Sequence, residues 1–207
     1  MIIAVIPALV CITFHEVSHG FVAYKLGDST AKDAGRLTLN PIKHIDVFGL
    51  LMMIVLKFGW AKPVPVNMNS FKNPKGGMAI TALAGPVSNV LLAAVIFLLY
   101  GLLYAPLMHA GAFGVVLAKM LLTTAYLSCA LAVFNIIPIS PLDGSKVLFS
   151  FLPEKAYYAL MRYEFLGMIA LLIIVWSGAF SGFLVNWTSG LYKWLIGIAD
   201  WAYALTV

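Results

Sequence analysis

Two histidines and a glutamate stand together in an otherwise apolar stretch: His15, Glu16 and His19, within "TFHEVSHG". On a helix, side chains four positions apart lie on one face, one turn apart. Two imidazoles so placed can bind a single metal ion, with Glu16 projecting towards its open coordination position. This is the H-E-x-x-H spacing, in which the glutamate acts as general base on water that the metal activates. Zinc suits imidazole ligands and lowers the pKa of bound water to about 7, which brings the chemistry to neutral pH. In a membrane helix the pattern carries extra weight, because ionisable side chains there are costly and usually functional.

A catalytic zinc site has three protein ligands and a water, so one more ligand is needed. Asp143, in "PISPLDG", is the only acidic residue between Asp46 and Glu154. His15 lies ten residues before Lys25, which is about 15 Å along a helix. Asp143 follows a span descending to that same side, and its two prolines could hold the turn at membrane depth. The alternative is that Asp143 caps the following helix. Cys11 sits one turn before His15 and could in principle ligate; a buried, inert thiol is the expected reading.

The elements holding these residues follow from composition. Of 207 residues, 62% are hydrophobic and only 10% charged, against about 25% charged in a soluble domain. No charged residue lies between Lys75 and Lys119, between Lys119 and Asp143, or between Glu164 and Lys193. Each run can supply the ~20 apolar residues of a membrane span. Long spans are expected over 2–25, 78–104, 113–134, 157–178 and 183–203, with a short helix over 144–152. The stretch 47–58 is short for a span, leaving open whether it crosses or re-enters. The expected fold is an all-α polytopic membrane protein with five to six transmembrane helices.

A small membrane-associated β element is expected between the first and second long spans. In "GRLTLN" polar and apolar residues alternate, and in "KPVPVNM" two prolines suit an edge strand. Gly27 is the expected stop of the first helix. That helix starts without a basic leader, so it reads as retained rather than cleaved. Cys11 and Cys129 both lie in apolar segments, so no disulfide is expected. With no long hydrophilic segment, residues 1–207 read as one membrane-embedded domain. Basic residues concentrate in 25–75 and 143–162, which makes those stretches cytoplasmic by the positive-inside rule. The pI of about 9.2 then reflects anionic lipid and not nucleic acid.

These residues together resemble the site-2 protease family of intramembrane zinc metalloproteases, in its small bacterial type without a PDZ or CBS domain. "FHEVSHG" looks like the zinc-binding helix of that family, and "NIIPISPLDG" like its N-x-x-P-x-x-x-L-D-G element. "ALAGPVSN" and "GRLTLNPIKHID" are similar to its bacterial members. The resemblance implies Zn2+ held by His15, His19 and Asp143, with Glu16 as catalytic base. It also implies that Asn135 stabilises the oxyanion or positions substrate, and it makes Asn89 a candidate substrate contact. His44 and His109 match no zinc position and are expected at the interface.

The expected activity is hydrolysis of peptide bonds within or near transmembrane segments of membrane proteins, in regulated intramembrane proteolysis. A helical substrate must unwind first, and the expected strands offer an edge for it at Val64, Val66 and Asn67. The expected partners are a transmembrane substrate and the lipid bilayer, with homo-oligomerisation open. The expected location is the bacterial cell membrane, with the site nearer the cytoplasmic face. The rival class is a non-proteolytic metal-binding membrane protein or a divalent-metal transporter. A transporter would be expected to spread ionisable residues over several spans and to show internal repeats; the sequence has no such repeat.

Overall fold

The structure, a computed structural model, describes residues 2–46, 49 and 61–206. The first helix, α1, spans Ile2–Lys25. It stops as "KLGD" predicts: Gly27 adopts φ +108°, a left-handed conformation that favours glycine, and its N–H bonds the Tyr24 carbonyl. A short helix α2 (Thr30–Asp33) and single 3-10 turns at Pro41–His44 and Met68–Ser70 follow.

Helix α3 spans Pro74–His109. Its start is well marked, with Pro74 in the first turn and the Asn73 side chain accepting the Gly76 N–H. Its 36 residues reach about 54 Å, beyond the ~30 Å of bilayer hydrocarbon. The expected boundary at 104 is overrun, and the chain reverses only at Ala110 and Gly111, the latter at φ +63°. Helix α4 then spans Gly111–Asn135. After the proline-bearing turn come α5 (Asp143–Ser150), α6 (Glu154–Arg162), α7 (Glu164–Trp176) and α8 (Ser181–Ala204).

Helix α3 is the hub, touching α1, α4, α5 and α8. Ala93, Phe97, Ala125, Cys129, Leu195 and Ala199 form the core between α3, α4 and α8. At Gly101 a Cβ would lie 2.3 Å from the Ala199 carbonyl, so glycine lets α3 and α8 approach closely, as small residues do between membrane helices. Ile80, Val87, Leu91, Val95 and Leu99 of α3 face outward, exposed, as a lipid-facing side would.

Two expectations about the fold are corrected. Among the described residues α1, α3 and α4 are long and apolar enough to cross a membrane, with a fourth crossing only if α6 and α7 count together. The expected span over 157–178 is broken at Tyr163, where the two helices meet at 63°. The 13 residues of α7 cover about 20 Å, too little to cross alone. Helix α8 is long enough, but Asn186, Thr188, Ser189, Lys193 and Asp200 dilute its apolar character. The stretch 47–58 lies outside the described residues apart from Gly49.

The β element is likewise not found: the described residues contain no strand, only one antiparallel bridge between Ile45 and Ala61. "GRLTLN" and "KPVPVNM" do not pair with each other. The second segment is tied down by side chains instead of a ladder, because Pro63 and Pro65 bring no N–H to one.

Candidate metal centre and catalytic site

Helix α1 presents His15 and His19 on the face that packs against α3, where Gly85 lies directly behind them. A Cβ on Gly85 would come within 2.5 Å of both imidazoles, so the rings occupy the space that a side chain would fill. Asp143 arrives from the other direction, as the first residue of α5. The turn before it is tight: a Cβ on Gly144 would lie 2.1 Å from the Ile136 carbonyl. The Asp143 side chain does not cap its helix, which removes the capping alternative.

Three donor atoms meet. His15 Nε2 lies 3.1 Å from His19 Nε2, and Asp143 Oδ2 lies 3.1 Å from the first and 3.3 Å from the second. Ligands bonded at ~2.0 Å around a tetrahedral ion stand about 3.3 Å apart, so the triangle has the size zinc requires. All three side chains are nearly buried, at 9%, 12% and 11% exposure.

Proton placement supports a cation here. His19 Nδ1 lies 2.7 Å from the Thr81 carbonyl. A carbonyl can only accept, so Nδ1 carries the proton, and the neutral ring then offers a lone pair at Nε2. Asp143 Oδ2 is buried and accepts no hydrogen bond. Lone pairs that converge in a buried space repel one another unless a cation sits among them. The donor set of two imidazoles and a carboxylate fits zinc.

The His15 ring is held from behind by Asn89, whose Nδ2 lies 3.3 Å from Nδ1. Metal binding through Nε2 leaves a proton on Nδ1, which needs an acceptor. Asn89 Oδ1 is buried without a partner, and turning the amide about its last bond supplies that acceptor and satisfies the oxygen together. Asn89 is fully buried and is engaged with His15.

Glu16 lines a cavity of about 260 Å³ with His15, Ile12, Asn135, Leu142 and Leu171. Its Oε2 accepts the backbone N–H of Val64 at 2.9 Å. Asn135 donates from Nδ2 to the Leu131 carbonyl of its own helix. Cys11 is buried on α1 with its thiol 3.4 Å from the Thr124 carbonyl, outside the ligand cluster.

The remaining expected residues fall otherwise. Val64 is buried and spends its N–H on Glu16; the Asn67 N–H goes to Asp28 Oδ2 at 2.7 Å. Val66 is half-buried. His44 is fully buried, with Nε2 2.9 Å from the Thr38 carbonyl, whereas His109 is exposed at the end of α3. Sequence reading missed Thr81, Gly85, Asp28 and Arg36. Of these, Gly85 inside "ALAGPVSN" and Arg36 inside "GRLTLN" lay in stretches already singled out, though neither residue was given a role.

Comparison with known proteins agrees with this chemistry. Residues 107–176, which include Asn135 and Asp143, match Peptidase family M50. "Putative zinc metalloprotease YwhC" of Bacillus subtilis is 42% identical over 171 residues, covering 82% of this chain and 78% of that protein. "Putative zinc metalloprotease Rip2" of Mycobacterium tuberculosis (strain H37Rv) is 27% identical over 201 residues, covering 95% of this chain and 74% of Rip2. A third relative, "Putative zinc metalloprotease MJ0611" of Methanocaldococcus jannaschii, is 33% identical over 139 residues, or 65% of this chain and 63% of that protein. No solved structure matches the chain.

Proposed function

This chain belongs to peptidase family M50, the site-2 proteases, and we propose that it cleaves peptide bonds within or near transmembrane segments of other membrane proteins. It is a zinc metalloprotease with several long apolar helices. The observation that carries the reading is the triangle of His15 Nε2, His19 Nε2 and Asp143 Oδ2 beside the cavity that Glu16 lines.

His15, His19 and Asp143 would hold Zn2+, which when bound supplies a Lewis acid for the scissile carbonyl and acidifies an adjacent water. Glu16 takes a proton from the water on the oxygen that Val64 leaves available, as the water oxygen bonds to the carbonyl carbon. It then delivers that proton to the amide nitrogen as the C–N bond breaks, and returns to carboxylate. Asn135 turns its amide from Leu131 to donate to the developing oxyanion; one such donor is worth about 3 kcal/mol in other proteases. Asn89 keeps the His15 ring oriented.

The cavity favours an unwound substrate. A helix with side chains is ~10 Å across, too wide for about 260 Å³, whereas one or two residues of extended chain fit. Of the residues expected to contact substrate, Val66 alone among 63–67 has an N–H with no partner among the described residues; the peptide would meet that N–H and the segment's carbonyls. The concentration of basic residues in 25–75 and 143–162 supports a site nearer the cytoplasmic face of a bacterial cell membrane, a setting suited to regulated intramembrane proteolysis. We take residues 1–207 as one functional unit.

The test is cleavage of a fluorogenic membrane-spanning peptide in zinc-loaded proteoliposomes. Wild type is expected to cleave, and Glu16→Gln is expected to retain zinc without cleaving. Undiminished turnover in Glu16→Gln would refute the base assignment, and a zinc-loaded wild type that cleaves no membrane peptide would refute the proteolytic reading.

A further inference from the structure

The segment 62–67 has no strand partner among the described residues, yet it delivers the Val64 N–H to Glu16. Three fixings hold it. At its start the Lys62 N–H bonds the His44 carbonyl at 3.0 Å, and the Lys62 carbonyl accepts from Arg36 Nη2 at 2.7 Å. At its end the Asn67 N–H bonds Asp28 Oδ2 at 2.7 Å. Asp28 is itself braced, its Oδ1 accepting the N–H of Thr30 at 3.0 Å and the Thr30 hydroxyl at 2.5 Å.

Arg36 and Asp28 are buried, at 7% and 1% exposure, and among the described residues neither forms an ion pair. Burying unpaired charges is costly; Arg36 Nη2 donates to the Lys62 carbonyl, and Asp28, with Oδ1 held by Thr30, gives Oδ2 to the Asn67 N–H. Charge-assisted hydrogen bonds of that kind are stronger and more directional than neutral ones. Val64 lies between the two anchors. Pro63 and Pro65 on either side limit the backbone's freedom to swing.

We propose that Arg36 and Asp28 are positioning residues: they hold 62–67 in register so that the Val64 N–H fixes one oxygen of Glu16 and leaves the other facing the cavity. This rests on Glu16 acting as the base. Neither residue lines the cavity, so both act through the backbone between them. Loss of either anchor lets the segment drift, and displacement of a reacting group by about 1 Å can cost ~100-fold in rate.

The experiment uses the full chain in zinc-loaded nanodiscs with a membrane-spanning peptide. Arg36→Met and Asp28→Asn are each expected to lower kcat by about 10- to 100-fold with zinc content unchanged, and to raise KM as well, since the peptide would meet the same segment. Independently of activity, amide hydrogen exchange at Lys62, Val64 and Asn67 is expected to quicken in both variants. Arg36→Lys, which can still donate to the Lys62 carbonyl, is expected to recover most of the loss. Full kcat in the variants, zinc loss in step with activity loss, unchanged exchange, or no recovery with lysine overturns the proposal. If Arg36→Met does not fold, Arg36→Lys and Asp28→Asn decide by the same readouts. Wild type and Glu16→Gln run alongside: should they cleave alike, the base assignment fails, while the exchange data still judge the anchoring.

Discussion

The backbone N–H of Val64 donates to the Glu16 carboxylate across 2.9 Å, joining positions 48 apart in the chain. A lone extended residue thereby holds the proposed base against the edge of the metal-ligand cluster. Val64→Pro deletes this N–H. A hydrogen bond to a charged group contributes about 1.5–3 kcal/mol, so kcat is expected to fall ~10- to 100-fold with zinc retained. Val64→Ala, which keeps the N–H, is expected to lose much less. Steady-state peptide cleavage with metal analysis checks both.

Asn89 is a ring-orienting partner of His15 in this geometry. Removing the partner of a metal-binding histidine costs about 10- to 100-fold in metal affinity. Asn89→Leu is therefore expected to weaken zinc binding by that factor in a competition titration with a chelator. A raised KM with undiminished zinc affinity would instead return Asn89 to substrate binding.

Gly85 tests the packing behind the imidazoles. A methyl group there would lie 2.5 Å from both rings, far inside van der Waals contact. Overpacking of this kind costs about 1–3 kcal/mol. Gly85→Ala is expected to lower the Tm and to release zinc at chelator concentrations that wild type withstands. Gly182, with open space around it, is the matched control: Gly182→Ala should leave zinc binding alone.

Asp28 makes a prediction about pH. Burial pushes its carboxyl up, but hydrogen bonds from the Thr30 side chain and the Asn67 and Thr30 N–H groups outweigh that and hold it below the usual carboxylate range. A folded pKa below the unfolded value of about 3.9 means stabilisation that is present above that value and lost as pH falls through the folded pKa. Asp28→Asn is expected to lower the Tm at pH 7, and the gap from wild type to narrow below pH ~4. Thermal melts across pH 3–7 check it; a gap that stays constant would show that Asp28 does not contribute through its charge.

The extended segment shows where sequence reading went astray. Pro63, Val64, Pro65 and Val66 do mark extended backbone, and the structure agrees in that respect. What the pattern cannot say is who pairs with it. Strand partners were the natural expectation, yet Arg36, Glu16 and Asp28 take that role with side chains. The burial of His44 was equally hidden, because nothing in a lone histidine beside a basic stretch shows that the fold closes over it. The count of spans failed for a related reason: the run 157–178 is apolar enough, but nothing in its composition announces the 63° bend at Tyr163.

From the chain alone came the chemistry of the centre and the solvent around it. His15 and His19 share a helical face because a turn is 3.6 residues, and long uncharged runs have few stable settings besides lipid. Asp143 stood out as the only acid between Asp46 and Glu154. Tertiary structure decided what holds these groups in place: the Thr81 carbonyl, the bare Gly85, the Asn89 amide and the Val64 N–H. Backbone groups are the same at every residue, so their use in a site leaves no mark on residue type. Only the packing of α3 and of residues 62–67 against α1 selects which of them meet His15, Glu16 and His19.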